Sequence, residues 1–164
     1  LKQARIKYNE LGVNVDKNLQ STNRSVYAIG DIVDGPSFTH TASYHAGIVL
    51  KKVLFGIPSK LRTDHIPQVT YTDPEIASVG MNFEDAVKRF GKKVERSFVN
   101  LKTNDRAITD SKTEGFVEVI LLGRKVIGCS ITSKNAGELI FFWAFVIAKS
   151  IKISNLFKSF IDFN

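Results

Sequence analysis

The first third of the chain carries one strongly punctuated pattern. Ser25-Val26-Tyr27-Ala28-Ile29-Gly30-Asp31 reads as a short buried strand, Val26 to Ile29, that stops at a glycine and presents one carboxylate. A loop from Ile32 to Thr41 follows. The spacing of Ala42, Ala46, Val49, Leu50 and Val53 then predicts a helix from Thr41 to about Phe55, and Gly56-Ile57-Pro58 predicts its end. Ahead of the strand, Gly12-Val13-Asn14-Val15-Asp16 alternates like one exposed strand of a hairpin. Strand, acidic turn and a helix opening on Thr39 suit a polar ligand. The carboxylate accepts hydrogen bonds from hydroxyls, and the N–H groups at the helix start point at an electron-rich atom.

Lys60 to Asp64 is polar and reads as a linker, which places a domain boundary near residue 62. Beyond it the period changes to two. Pro67 to Thr72 and Ile76 to Gly80 predict two strands around an Asp73-Pro74-Glu75 turn. Asn82 is a helix cap, with Phe83, Val87 and Phe90 at helical spacing and Gly91 at the end. Val94 to Leu101 alternates as a strand. Phe116 to Leu122 and Lys125 to Thr132 form the clearest hairpin, turning at Gly123-Arg124. One face holds Val117, Val119 and Leu121 on the first strand and Ile127, Cys129 and Ile131 on the second. Three or four antiparallel strands with helices packed on one side predict an α+β fold.

The final long helix, from Asn135-Ala136-Gly137-Glu138 to about Ser150, has almost no polar face. Leu139, Ile140, Phe141, Phe142, Trp143, Phe145, Val146 and Ile147 run through it. A helix apolar all round has to be covered on all sides, and its own domain of about 100 residues is too thin for that. A subunit interface is therefore expected, in keeping with the aromatic content.

Composition changes this picture little. The chain has 164 residues, 43% hydrophobic and 24% charged, enough for a packed core. Its net charge of +7 is scattered. The one loose basic cluster, Lys88, Arg89, Lys92, Lys93 and Arg96, alternates with Glu84, Asp85 and Glu95 and reads as a solvated surface, not a nucleic-acid patch. The single cysteine, Cys129, excludes an internal disulfide and reads as inert core between Ile127 and Ile131. The apolar run Leu139 to Ala148 is too short to cross a bilayer, and a cytoplasmic location is expected. Residue 1 is Leu and the only methionine is Met81, which suits a piece of something longer.

Five segments, in order, carry a family resemblance. They are Val26-Tyr27-Ala28-Ile29-Gly30-Asp31, the run Pro67 to Gly80 (PQVTYTDPEIASVG), Asn104-Asp105-Arg106-Ala107, Thr113-Glu114-Gly115-Phe116-Val117, and Asn135-Ala136-Gly137-Glu138-Leu139-Ile140. Over nearly its whole length the chain resembles the C-terminal third of a flavin-dependent pyridine nucleotide-disulfide oxidoreductase of the mercuric reductase and dihydrolipoamide dehydrogenase type. The resemblance implies that residues 1–62 are the end of an α/β FAD-binding domain and 63–164 the interface domain that pairs two subunits. It implies that Asp31, after Gly30, bonds the ribityl chain of FAD. Thr39 and the amides of His40, Thr41 and Ala42 would face the flavin N1/O2 edge, where charge gathers on reduction. The expected partner is a second copy, or a separate flavoprotein half in a split arrangement, through residues 63–164.

The chain also departs from that pattern. The family's redox step needs a cysteine pair, and one thiol cannot run a dithiol relay. No two glycines are separated by one residue, so neither G-x-G-x-x-G phosphate cradle, for FAD or NAD(P)H, is present. The family's C-terminal His acid/base has no counterpart: Phe163 falls near that position and cannot transfer a proton. His40 reads as a flavin-side contact, and His45 and His65 as surface residues. This stretch is thus expected to supply flavin contacts and a dimer interface without being a catalyst alone. A stand-alone dimerisation module is the alternative.

Overall fold

The computed structural model describes residues 1–35, 38–57 and 60–156. Pro58 and the C-terminal segment with Phe163 lie outside them. The chain divides into two compact units, Leu1–Arg62 and Thr63–Asn164.

The second unit is built on a five-stranded antiparallel sheet in the order β3-β4-β7-β6-β5. Its strands are β3 (Gln68–Thr70), β4 (Glu75–Gly80), β5 (Val94–Asn100), β6 (Phe116–Leu122) and β7 (Lys125–Ser133). Both expected hairpins form, and the short β3 and the edge strand β5 bring the sheet to five. Alternation decides the core. Ala77 and Val79 on β4, Val119 on β6, and Cys129 and Ile131 on β7 are buried on one face. Against that face packs α4 (Ala136–Ala148), which buries Ala136, Ile140, Ala144, Val146 and Ile147. A helical turn at 153–156 adds Ile153 and Leu156.

One expected core position is wrong. The register shifts between Ile120 and Leu121, so Leu121 faces Val126 and it is Val126, not Ile127, that enters the core. A bulge exchanges the faces of the residues beyond it. The Ile127 carbonyl instead accepts the Met81 N–H at 2.9 Å.

The helices of this unit are capped as their sequences dictate. Asn82 Oδ1 accepts the Asp85 N–H at 2.8 Å to open α2 (Phe83–Phe90). Glu84 and Asp85 sit in its first turn and Lys88 and Arg89 in its last, matching the helix dipole. A short helix α3 (Asp105–Thr109) was not anticipated. Within the Asn104-Asp105-Arg106-Ala107 motif, Asn104 Oδ1 accepts the Ala107 N–H, and Arg106 pairs with Asp110 at 2.9 Å one turn on. The start of α4 is closed from far away in the chain. Glu75 Oε2 accepts the Gly137 N–H at 2.9 Å, which places a carboxylate on the positive end of the helix. Glu75 therefore belongs to β4 and to this cap, not to the turn before it.

The first unit is lighter. A two-residue hairpin, β1 (Tyr8–Asn9) and β2 (Gly12–Val13), opens it, and α1 (Thr39–Phe55) is its one long element. The expected strand Val26–Ile29 does not form among the described residues. Tyr27 makes a single bridge to Gln20, and the chain runs on extended into a tight turn at Gly30–Ile32. A strand needs a neighbour along its length, and the segment Val26–Ile29 has only the isolated bridge from Tyr27 to Gln20 among the described residues. Its core is Ile6, Val13, Leu19, Ala28, Val33 and Ile48.

Helix α1 is also rotated from its expected face. It buries Thr41, His45 and Ile48, one position before the stripe of Ala42, Ala46 and Val49. Leu50, Val53, Leu54 and Phe55 are 54 to 70% exposed. With apolar residues on more than one stripe, the sequence allowed two orientations. The buried one is that which lets His45 meet the turn at Gly30.

Candidate functional site

Of the residues expected at a ligand site in the first unit, Gly30, in the turn at Gly30–Ile32, approaches Ala42 near the opening of α1. Gly30 has a left-handed φ of +69°, and a Cβ built on it would stand 3.0 Å from the Ala42 Cβ. Only glycine lets the turn approach the helix this closely. The Gly30 N–H donates to His45 Nδ1 at 3.1 Å, a second tie between turn and helix. Asp31 follows, with its side chain exposed.

Thr39 and His40 are exposed at the first turn of α1, which no side chain caps. His40 stacks on Phe38 with ring centroids 5.4 Å apart. The amides of Thr41 and Ala42 both donate to the Phe38 carbonyl, at 2.9 and 3.2 Å, so they are turned into the helix and not outward. Thr41 itself is buried.

His45 corrects an expectation. It is 4% exposed and not a surface residue, and burial holds its pKa below the ordinary value. No apolar-stripe count could find it, because a histidine on a buried face looks like an interruption. His65 is half-buried beside Asp64, at 3.3 Å.

The second unit offers a surface rather than a cleft. Leu139, Phe141, Phe142 and Phe145 of α4 are 51, 71, 44 and 49% exposed, opposite the stripe that packs on the sheet. Four large apolar side chains uncovered on one helix mark an association site. The basic cluster is exposed as expected, and the Arg96 guanidinium pairs with Glu118 and lies over the rings of Phe83 and Phe98. Cys129 is buried, and its burial, with the Glu118 carboxylate adding, pushes its pKa to about 12. A thiol held that far from its thiolate is no nucleophile at neutral pH. Among the described residues no cluster of His, Cys, Asp and Glu could hold a metal, and no helix is long and apolar enough to cross a membrane.

An antiparallel sheet backed by a half-bare apolar helix is the architecture of an assembly domain. Residues 66–162 match the dimerisation domain of the pyridine nucleotide-disulphide oxidoreductases. Over 166 residues the chain is 32% identical to a mercuric reductase of Staphylococcus aureus, covering 99% of this chain and 30% of that one. It is 36% identical over 143 residues to a dihydrolipoyl dehydrogenase of Geobacillus stearothermophilus, covering 85% of this chain and 30% of the relative. Among solved structures, LpdA from Mycobacterium tuberculosis superposes with a TM-score of 0.80 at 24% identity, over 91% of this chain and 33% of that one. The HOCl-induced flavoprotein disulfide reductase RclA from Escherichia coli gives 0.79 at 25%, over 93% and 36%. The chain belongs to the pyridine nucleotide-disulphide oxidoreductase family, through its dimerisation domain. It spans about 30% of the length of these curated relatives. The family's enzymes depend on FAD and NAD(P)H.

Proposed function

We propose that this stretch of chain supplies flavin contacts and the dimer interface of an FAD- and NAD(P)H-dependent disulfide or mercuric-type reductase working in the cytoplasm. In such an enzyme the nicotinamide would supply a hydride to the flavin, and the reduced flavin would pass the electron pair on to a disulfide, leaving a dithiol. Residues 1–62 are the end of its FAD-binding domain and 63–164 its interface domain. The observation that carries this reading is the bare aromatic face of α4 in a domain of the family's dimerisation type. Burying those side chains against a second copy removes apolar surface from water at about 25 cal/mol per Å².

The FAD role falls to Gly30, Asp31, Thr39, His40, Thr41 and Ala42. The arrangement fits the group. A close-packed Gly-Asp turn presents a carboxylate to the hydroxyls of a sugar-alcohol chain, and the uncapped start of α1 sets partial positive charge beside it. Bound FAD supplies the two-electron chemistry. Within this site, Asp31 accepts hydrogen bonds from the ribityl hydroxyls, and Thr39 and His40 lie at the helix end that favours negative charge at N1/O2. Thr41 and Ala42 hold that end in shape through Phe38.

Catalysis by this stretch alone is not expected, because its single thiol is buried and the chain carries neither dinucleotide cradle. The test is to add FAD, NADH and a disulfide or mercuric acceptor to the purified chain. Bound yellow flavin without turnover is the expected result, and turnover at the rate of an ordinary reductase overturns it. A second reading, an interaction module paired with a separate flavoprotein half through residues 63–164, is favoured by the same exposed side chains of α4, Leu139, Phe141, Phe142 and Phe145. Co-purification of a flavoprotein on these residues supports it, and a homodimer alone counts against it.

A further inference from the structure

The ring of His45 is buried, yet it makes one hydrogen bond. Its Nδ1 accepts the Gly30 N–H at 3.1 Å, while its Nε2 is enclosed without a partner among the described residues. Accepting at Nδ1 requires that nitrogen to be unprotonated, so the proton of the neutral ring sits on Nε2. Burying a polar ring costs free energy unless it is hydrogen-bonded. The bond to Gly30 is what offsets that cost here. The residue beyond Gly30 is Asp31, and the turn that carries both is tied to α1 by this bond and by the close approach to Ala42. The second tie limits how near the turn can come. The first sets how it is rotated.

We propose that His45 is a positioning residue: by accepting the Gly30 N–H through Nδ1 it sets the direction in which Asp31 presents its carboxylate to a flavin's sugar-alcohol chain. The proposal rests on the flavin reading above. Any side chain with an acceptor at the same reach can take the role. A side chain of similar bulk without one cannot.

Three variants of the full chain test this: His45→Asn, which keeps an acceptor, His45→Phe, which does not, and Asp31→Asn. FAD affinity is read by quenching of flavin fluorescence, with thermal melting as the control for folding. Nitrogen NMR of the wild type reads the His45 tautomer, and hydrogen exchange reads the Gly30 amide. The expected result is a proton on Nε2, a protected Gly30 amide, and FAD binding weakened roughly tenfold in His45→Phe, equivalent to one lost hydrogen bond. His45→Asn restores most of it. In the Asp31→Asn background His45→Phe adds no further loss, because the two act as a unit. A proton on Nδ1, an unprotected Gly30 amide, or losses that add in the double variant overturns the role of His45. Failure of the wild type to take up FAD at all overturns the flavin reading beneath it, while the tautomer and the Gly30 amide still report on the bond itself.

Discussion

The two units solve the same problem at different scales. Unit 63–164 pairs five strands along their lengths and lays a helix over one face, so most of its backbone groups and its core are satisfied internally. Unit 1–62 has a core of six buried apolar residues, a two-residue hairpin and isolated bridges, and among the described residues it leaves Thr41 Oγ1 and His45 Nε2 buried without partners, against Ser133 Oγ in the larger unit. The first kind of unit makes its own stability. The second has a smaller core and fewer paired backbone groups, and such regions open at lower free energy.

The largest expected effect lies in the self-sufficient unit. Ile140 on α4 is fully enclosed, and Ile140→Ala removes three carbons from a packed site, at a cost of about 2–5 kcal/mol. Trp143, the only tryptophan, sits on the same helix and reports that unit's unfolding in urea. A marked drop in its midpoint, with the amide signals of residues 1–62 unchanged, is the expected result. Coupled loss of both units in one transition breaks the contrast.

Glu75→Ala comes next. It removes the carboxylate that closes α4 across the sheet and leaves the Gly137 N–H without its acceptor, for about 1–3 kcal/mol. Gly137 has little slack to recover, since a Cβ built there would lie 3.1 Å from Val69 Cγ1. Urea denaturation followed by Trp143 fluorescence measures the loss, and Glu75→Gln recovers part of it.

A smaller effect distinguishes the light unit by pH. Burial lowers the His45 pKa in the folded chain, so between the folded and ordinary values the unfolded chain binds the extra proton. Stability of residues 1–62 is therefore complete above the ordinary imidazole range, about 6.5, and falls as pH drops below it. Amide exchange at Ala28, which donates to the Leu19 carbonyl, follows the change, and His45→Asn removes the histidine's share of it. A unit that grows firmer on acidification contradicts the assignment.

Legibility in the sequence follows the same divide. Strands that bury one face announce themselves by alternation, so Phe116–Leu122 and Lys125–Thr132 were readable, the second extending one residue further to Ser133, as was the hairpin between β3 and β4. What alternation could not show was the bulge after Ile120, which sends Val126 inward in place of Ile127. Nor could it show Glu75 reaching 62 residues along the chain to cap α4. In the first unit the motif around Gly30 and Asp31 was legible from its punctuation, but the supporting side chain was not. His45 earns its place through a single bond to a backbone group 15 residues away, and nothing local in the sequence marks such a bond. The strand expected at Val26–Ile29 was read from its apolar run, and a run without paired neighbours stays extended chain.

The bare face of α4 is the point on which the account turns, and sedimentation equilibrium of the intact chain measures it directly. The account predicts a dimer for the wild type and a folded monomer for Phe141→Glu, with Trp143 fluorescence and the urea midpoint of the sheet unit kept. A wild-type chain that stays monomeric at tens of micromolar, or a Phe141→Glu variant that still dimerises, contradicts it.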